Sequence, residues 1–299
     1  MAWQDEMSFF EFKNKFNTEE DCRKYLFKLR WPEGFICPIC GHKECYSLKT
    51  RHIHECTKCH YQVSETSGTV MEKTHLPLDK WFWAIYLVST DKRGHSALQL
   101  SKEIQVCYKT AWYLLHRIRT AMMERDWNYK LSEIVATDEA FFGAPTHDGK
   151  RGRGTEKAKV IVSVQQSSDG CPLYAKMETA EVLDSGTINT FAANYIEKGS
   201  TIVSDGADIY LQLPDKGYQH IGNIAEDGSG QMKWVHTVIS NAKALIQGTF
   251  HGLDKKYLNL YLAEFCYRFN RRFWSKQLFN RLLSACLVCA PITFTELCL

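Results

Sequence analysis

Apolar positions along the chain follow three regimes. Residues 18–30, Thr-Glu-Glu-Asp-Cys-Arg-Lys-Tyr-Leu-Phe-Lys-Leu-Arg, predict a short helix. Asn17 or Thr18 caps it, acidic residues fill its first turn, and Trp31-Pro32 ends it. Residues 33–70 are rich in Cys, Gly, Thr and Ser, with strand-like pieces such as Tyr61-Gln62-Val63. From Leu78 to Ser89 the pattern turns apolar and helical (Trp81, Phe82, Ile85, Tyr86), and a further helical pair lies within 96–125. After about residue 130 short β-branched runs take over: Ile134 to Thr137, Lys159 to Val164, Pro172 to Lys176 and Thr201 to Ser204. A helix is expected over 184–197, and helices again from Lys233 onward. There is no internal repeat and no low-complexity segment. The expected organisation is multidomain α/β: a small cysteine-rich module at 1–75, a helical module at 76–128, and a mixed α/β domain with C-terminal helices at 129–299.

Ser96 to Arg119 reads as helix, short turn, helix. Leu98, Ile104, Ala111, Leu115, Ile118 and Met122 keep helical spacing, which leaves Lys109, Thr110, His116, Arg117 and Arg119 expected to face outward. A second helix of this kind can enter a DNA major groove. Gln105 stands at the turn, where Gly is common. Helical hairpins that bind nothing share the same pattern.

Composition narrows the class. With 44% hydrophobic and 24% charged residues over 299 positions, the chain has the makings of an ordinary globular core. No apolar run approaches the roughly 20 residues needed to cross a bilayer. The start, Met1-Ala2-Trp3-Gln4-Asp5-Glu6, is acidic and unlike a signal peptide, so a reducing cytosol is the expected compartment. The twelve cysteines are then expected to be metal ligands, buried thiols or reactive groups rather than disulfides. Net charge is only +3, but basic residues gather over Lys92 to Arg125 and in Lys150-Arg151-Gly152-Arg153, patches suited to a phosphate backbone.

Cys37-x-x-Cys40 is followed by Cys56-x-x-Cys59. Two such knuckles complete a tetrahedral Cys₄ shell for Zn²⁺, with no position left open for chemistry, so the zinc is expected to be structural. Gly41 permits the tight turn after the first knuckle, and metal binding supplies folding energy that so small a core lacks. His42, Cys45, His54 and His60 lie nearby and are expected to be surface residues. Cys286-x-x-Cys289 lies in an apolar stretch with no second knuckle and reads as two buried thiols.

Asp138 closes the run Ile134-Val135-Ala136-Thr137, and Asp205 closes Thr201-Ile202-Val203-Ser204. If the two strands are neighbours, their carboxylates share Mg²⁺ or Mn²⁺, and a third ligand allows two ions to clamp a phosphodiester. A strand-end Asp is also a common turn former.

At this point the chain resembles the insertion-sequence transposases that carry an N-terminal zinc ribbon and a DDE-type catalytic domain, the bacterial relatives of Merlin elements. The stretches that carry the resemblance run in family order from about residue 20 to the C-terminus. They are FICPICGHKECYSLKTRHIHECTKCHYQVSETSGTVMEKTHLPLDKWFWAIYLV, KTAWYLLHRIR, VATDEAFFG, KRGRGTEKAKVIVSVQ, IVSDG and WVHTVISNAKALIQGTFHGLDKKYLNLYLAEFCYRFNRR. The resemblance implies an RNase H-like catalytic domain behind the zinc ribbon and helix-turn-helix, with Asp138 and Asp205 as the first two catalytic carboxylates. Where relatives have Glu seven residues before a Lys, this chain has His236 before Lys243, two helical turns apart and facing alike. Members with Asn as third residue point instead to Asn241. Lys243 is expected to hold a DNA phosphate, and the basic loop with Lys150, Arg151 and Arg153 to touch the backbone. The implied partners are double-stranded DNA, both element ends and target, and further copies of the chain, in a bacterial cytoplasm at the nucleoid. The competing expectations are a zinc-ribbon DNA-binding regulator, a catalytically dead copy, and a nuclease that cuts without joining.

Overall fold

A computed structural model describes residues 7–48, 50–143, 156–222, 230 and 232–298. It divides into two compact units: residues 1–121 with 274–299, and residues 122–273. The chain's last helices therefore belong with the first unit, not with the β-rich unit to which the sequence pattern assigned them.

In the first unit, helix α1 (Phe9–Lys15) was not foreseen, and α2 (Glu19–Arg30) was. Both open on capping boxes, Ser8 with Glu11 and Thr18 with Asp21, which satisfy backbone N–H groups that a helix start leaves orphaned. A three-stranded antiparallel sheet follows: β1 (Cys45–Leu48), β2 (Ile53–Cys56) and β3 (Gln62–Val63). Then come α3 (Leu78–Thr90), α4 (Ala97–Glu103) and α5 (Tyr108–Trp127). The α4–α5 turn has Gln105 at φ 52°, the left-handed conformation that Gly usually supplies. Toward the C-terminus, α9 (Leu278–Val288) packs on α3, and α10 (Phe294–Cys298) ends the described chain. Cys286 and Cys289 are buried free thiols, as their apolar surroundings predicted. No helix among the described residues is long and apolar enough to cross a membrane.

The helix-turn-helix exists, but three of its expected outward residues point inward. His116, Arg117 and Arg119 are all buried. The reason is that α5 is enclosed over the whole run Leu114–Met122, so its polar side chains are retained inside by partners. The His116 ring stacks on Trp112 at 3.8 Å. Arg117 donates to the Glu72 carbonyl at 3.0 Å and lies over the rings of Tyr113 and Trp81. Arg119 donates to the His95 carbonyl at 3.5 Å. Burial lowers the Arg117 pKa, yet these contacts keep its charge inside. Leu98, assigned to the apolar face, is instead exposed. Of the five, Lys109 is exposed and Thr110 half-buried.

The second unit is built on five strands: β4 (Ile134–Phe142), β5 (Ala158–Gln166), β6 (Pro172–Ala180), β7 (Thr201–Ser204) and β8 (Gln219–Gly222). Their order is β6-β5-β4-β7-β8. The first three form antiparallel hairpins, and β7 and β8 continue parallel to β4 and to each other. That order, with helix α6 (Ser185–Tyr195) crossing from β6 to β7, is the RNase H-like arrangement. One face of the sheet packs Ala136, Ala140, Phe142, Val160 and Val162 against α7 (Lys233–Thr249) and α8 (Leu258–Asn270). The other packs Val135, Ile161 and Ile202 against α6 and the turn at Asp208–Tyr210.

Edge strand β6 is covered by side chains rather than by another strand. Asn259 and Asn270 accept from the Thr179 and Ala175 N–H groups, and Arg272 donates to the Leu173 carbonyl. Behind them, Arg271 pairs with Asp126 at 2.7 Å, and both are nearly enclosed. Arg271→Met leaves Asp126 buried without its partner and is expected to cost about 3–5 kcal/mol, read by urea unfolding. A cost below about 1 kcal/mol would show that Asp126 finds compensation elsewhere.

Candidate active site and metal centre

The four cysteines of the ribbon converge. Cys37 and Cys40 sit on a turn whose Gly41 has φ 70° and donates its N–H to the Cys37 carbonyl at 2.9 Å. Cys56 ends β2, and Cys59 follows on the next turn. The sulfurs lie 3.4 to 3.6 Å apart across the cluster. Zinc–sulfur bonds of roughly 2.3 Å set tetrahedral edges of about 3.8 Å, so the shell fits a zinc ion. Against burial, the Cys40 and Ile39 N–H groups bring the Cys37 thiol down to about 6. Cys59 has the Tyr61 N–H to favour its thiolate, yet burial and its three neighbouring sulfurs push it up to about 12. Four thiolates repel one another without a cation, and a dication removes that conflict.

Among the described residues no other His, Cys, Asp or Glu joins this shell. His54 is not a ligand but neither is it a surface residue. Its Nε2 lies 2.8 Å from Glu65, and its ring packs on Phe27 and Trp31. Burial raises the Glu65 carboxyl, but the His54 bond outweighs it and holds it below its ordinary value.

The second constellation sits on the β4–β7 seam. Strand β4 does not stop at Asp138; it runs on to Phe142 because Ala140 and Phe142 continue the buried alternation. Asp138 thus lies mid-strand, on the face covered by α7. Strand β7 is its parallel neighbour and delivers Asp205 just beyond Ser204. One Asp138 oxygen accepts from the Glu139 N–H at 2.8 Å, and the other lies 3.2 Å from His236 Nε2. Burial raises the Asp138 pKa, and the Asp205 charge adds to it, outweighing Glu139 and His236. A buried carboxylate made costlier by a second carboxylate is a site short of positive charge.

The turn that carries Asp205 is held from behind. Gly206 has φ 82° and donates to Ser204 Oγ at 3.2 Å, while Ala207 N–H reaches Asp205 at 3.1 Å. Ser204 is buried, and its hydroxyl lies 2.9 Å from His220 Nε2 on β8. Burial lowers the His220 pKa, and the ring stacks on Tyr210. Neither His220 nor Ser204 was singled out from sequence. A four-residue polar edge strand, Gln219-His220-Ile221-Gly222, gives almost no hydrophobic signal.

On α7, His236 and Lys243 share a face toward β4, and the Lys243 ammonium lies 5.8 Å from the Phe142 ring centre. Asn241 is exposed, rotated away from that face. Lys150, Arg151 and Arg153 lie outside the described residues.

With this geometry in place, comparison with known proteins is direct. The sheet order defines an RNase H-like fold joined to a Cys₄ ribbon. Residues 130–270 match the ISXO2-like transposase domain, and residues 17–62 match the transposase zinc-ribbon domain. By these two matches the chain is similar to the zinc-ribbon-containing insertion-sequence transposases over both of its matched segments. An uncharacterized protein in transposable element ISH50 of Halobacterium salinarum is 29% identical over 110 residues, 36% of this chain and 37% of that protein. The match thus spans little more than a third of that relative's length. Among solved structures, the Mos1 strand transfer complex is 13% identical with a TM-score of 0.29, covering 71% of this chain and 78% of that one. The Mos1 mariner paired end complex with Mn is 15% identical with a TM-score of 0.29, covering 67% and 76%. The strand order, not this distant likeness, carries the fold assignment.

Proposed function

We propose that this chain binds the ends of its own insertion element, cuts one strand there and joins the freed end to target DNA. The observation that supports it most is the pair Asp138 and Asp205 on adjacent parallel strands, with His236 Nε2 3.2 Å from Asp138. Two carboxylate donors and one imidazole form a set suited to Mg²⁺ or Mn²⁺, which when bound supplies charge stabilisation at the reacting phosphate. Asp138 and Asp205 hold the ions through oxygen. His236 offers a neutral nitrogen where relatives offer a carboxylate, a weaker partner for Mg²⁺ than for Mn²⁺. Asn241, exposed and rotated away, is the lesser candidate for that place.

The chain's own residues then bind and orient. Lys243, on the His236 face, positions a DNA phosphate, and Lys109 and Thr110 meet the duplex at the start of α5. Water attacks the phosphodiester and the 3′ oxygen leaves as a hydroxyl, which attacks target DNA in turn. No serine or tyrosine ester is needed. The ribbon zinc is structural. The working form is a homo-oligomer that bridges two ends in a bacterial cytoplasm.

Incubated with Mn²⁺, a duplex carrying the element's own end should be nicked to expose a 3′ hydroxyl. His236→Ala should weaken Mn²⁺ binding, read by paramagnetic resonance, while Asn241→Ala should not. Nicking that persists in Asp205→Ala would contradict the reading. The Asp205 turn gives a subtler test. A Cβ at Gly222 would stand 3.1 Å from the Gly206 backbone, so Gly222→Ala must displace that turn. An outer-shell change of this kind is expected to weaken Mn²⁺ binding about 10- to 100-fold. Unchanged affinity would show that the turn does not fix Asp205.

A further inference from the structure

One imidazole from the neighbouring strand meets the Asp205 turn on both of its flanks. Strand β8 is the edge of the sheet, four residues long and polar. Its register sets His220 beside Ile202 and Gly222 beside Ser204. His220 touches the chain just before Asp205, where the Ser204 hydroxyl lies 2.9 Å from its Nε2. It touches the chain again beyond Asp205, where the Tyr210 ring stacks on it at 6.0 Å and 24°. The loop from Ser204 to Tyr210 therefore closes on a single side chain of β8.

The Ser204 proton fixes the roles. Ser204 is fully buried, and its Oγ accepts from the Gly206 N–H at 3.2 Å. Its one proton then needs an acceptor, and among the described residues that acceptor is His220 Nε2. The imidazole is accordingly neutral, with its own proton on Nδ1. Burial favours this form by lowering the His220 pKa against the pull of the Asp205 charge. From Gly206 N–H to Ser204 O–H to His220 the bonds run in one direction, and each strengthens the next. Losing Nε2 would leave a buried hydroxyl unsatisfied, which costs more than the bond itself contributes. The hydroxyl would turn toward another partner and release the Gly206 N–H. Gly206 stands at φ 82°, and glycine has the widest choice of conformations, so this turn depends on such bonds to keep one of them.

We propose that His220 is a positioning residue for the metal site, holding the Asp205 carboxylate through Ser204 and Tyr210 in the orientation a divalent ion requires. The inference rests on the proposed reading of Asp138 and Asp205 as the pair that holds the ions. His220 is not itself a ligand: one ring nitrogen is taken up by Ser204 and the other by a proton. His236, whose Nε2 lies 3.2 Å from Asp138, differs in just this respect.

The test titrates the full chain with Mn²⁺, read by paramagnetic resonance, beside thermal melting without metal and nitrogen NMR of the histidine rings. His220→Phe keeps a ring for Tyr210 and removes the acceptor. It is expected to weaken Mn²⁺ binding about 10- to 100-fold, and Ser204→Ala, which only deletes the hydroxyl, should do the same. His220→Gln places an amide oxygen where Nε2 stood and should recover most of the affinity. In the unmodified, metal-free chain the NMR signal should be that of a His220 Nε2 without a proton. A Phe variant that melts lower yet binds Mn²⁺ as tightly as the unmodified chain would make His220 purely structural. That result, equal losses in the Gln and Phe variants, or a protonated Nε2 overturns the proposal and leaves the carboxylate reading standing. Affinity lost with Phe and recovered with Gln, but no joined DNA from the unmodified chain, supports the positioning role and defeats the joining reaction instead.

Discussion

Asp138→Asn should reduce metal-dependent strand cutting by at least about a thousandfold while making the metal-free protein more stable at neutral pH. The two effects have one origin. Burial and the Asp205 charge raise the Asp138 pKa in the fold above its ordinary 3.8. The folded state therefore binds that proton more tightly than the unfolded chain, and stability falls as pH rises from 3.8 through the folded pKa. Above that window the metal-free fold carries an unfavourable charge. Asn removes the charge, so the stability gain should be present at pH 7 and vanish below about pH 3.8. Thermal melting without metal across that range checks the sign. A variant less stable than the unmodified chain at pH 7 would mean that the His236 contact outweighs burial. Mn²⁺ should stabilise the unmodified protein and not the variant, because only a group that binds the native state preferentially raises its stability.

The second large effect lies in the ribbon. Stripping zinc with a chelator, or Cys56→Ser, should unfold residues 35–63 while leaving the β4–β8 sheet intact. The ribbon's own buried cluster is only Trp31, Phe35, Cys37, Cys56 and Val63, with Phe27 and Cys45 beside it. So small a core cannot offset its chain entropy, whereas structural zinc supplies about 10–16 kcal/mol in comparable sites. Hydrogen exchange resolves the two regions. Protection should disappear from β1–β3 and persist in β4 and β5. Cys45→Ser, outside the Cys₄ shell, should leave exchange unchanged. A ribbon that stays protected after chelation would show that its side-chain core is sufficient and the metal incidental.

How much of this the sequence carried differs from element to element. The Cys₄ shell was legible because ligand spacing is a local property: two knuckles specify a tetrahedral site with no help from the rest of the fold. For the two aspartates, the strands that carry them are neighbours as the pattern allowed, but the place of Asp138 along its strand was not legible. Asp138-Glu139 looked like the polar end of a strand, yet Ala140 and Phe142 continue the alternation on the α7 face. Helix α5 misled in the opposite direction. Charge placed His116, Arg117 and Arg119 on the surface, whereas Trp81, Trp112 and Tyr113 supply the rings that let such groups stay inside. That signal was present, scattered over thirty residues that only the fold brings together. The His220–Ser204 support behind Asp205 left no trace, because polar edge strands lack a hydrophobic period.

The central claim is that Asp138 and Asp205 support joining of DNA, not merely its binding. The most direct measurement incubates the purified chain, a pre-nicked element end with a free 3′ hydroxyl, and a supercoiled target plasmid, in Mn²⁺ or Mg²⁺. The account predicts covalent end–plasmid products with the unmodified chain, more abundant in Mn²⁺ because the group beside Asp138 is the His236 imidazole rather than a carboxylate, and none with Asp138→Ala or Asp205→Ala. Stable binding of the end with no joined product in either metal would contradict it, and would make this chain a DNA-binding regulator with an inert sheet.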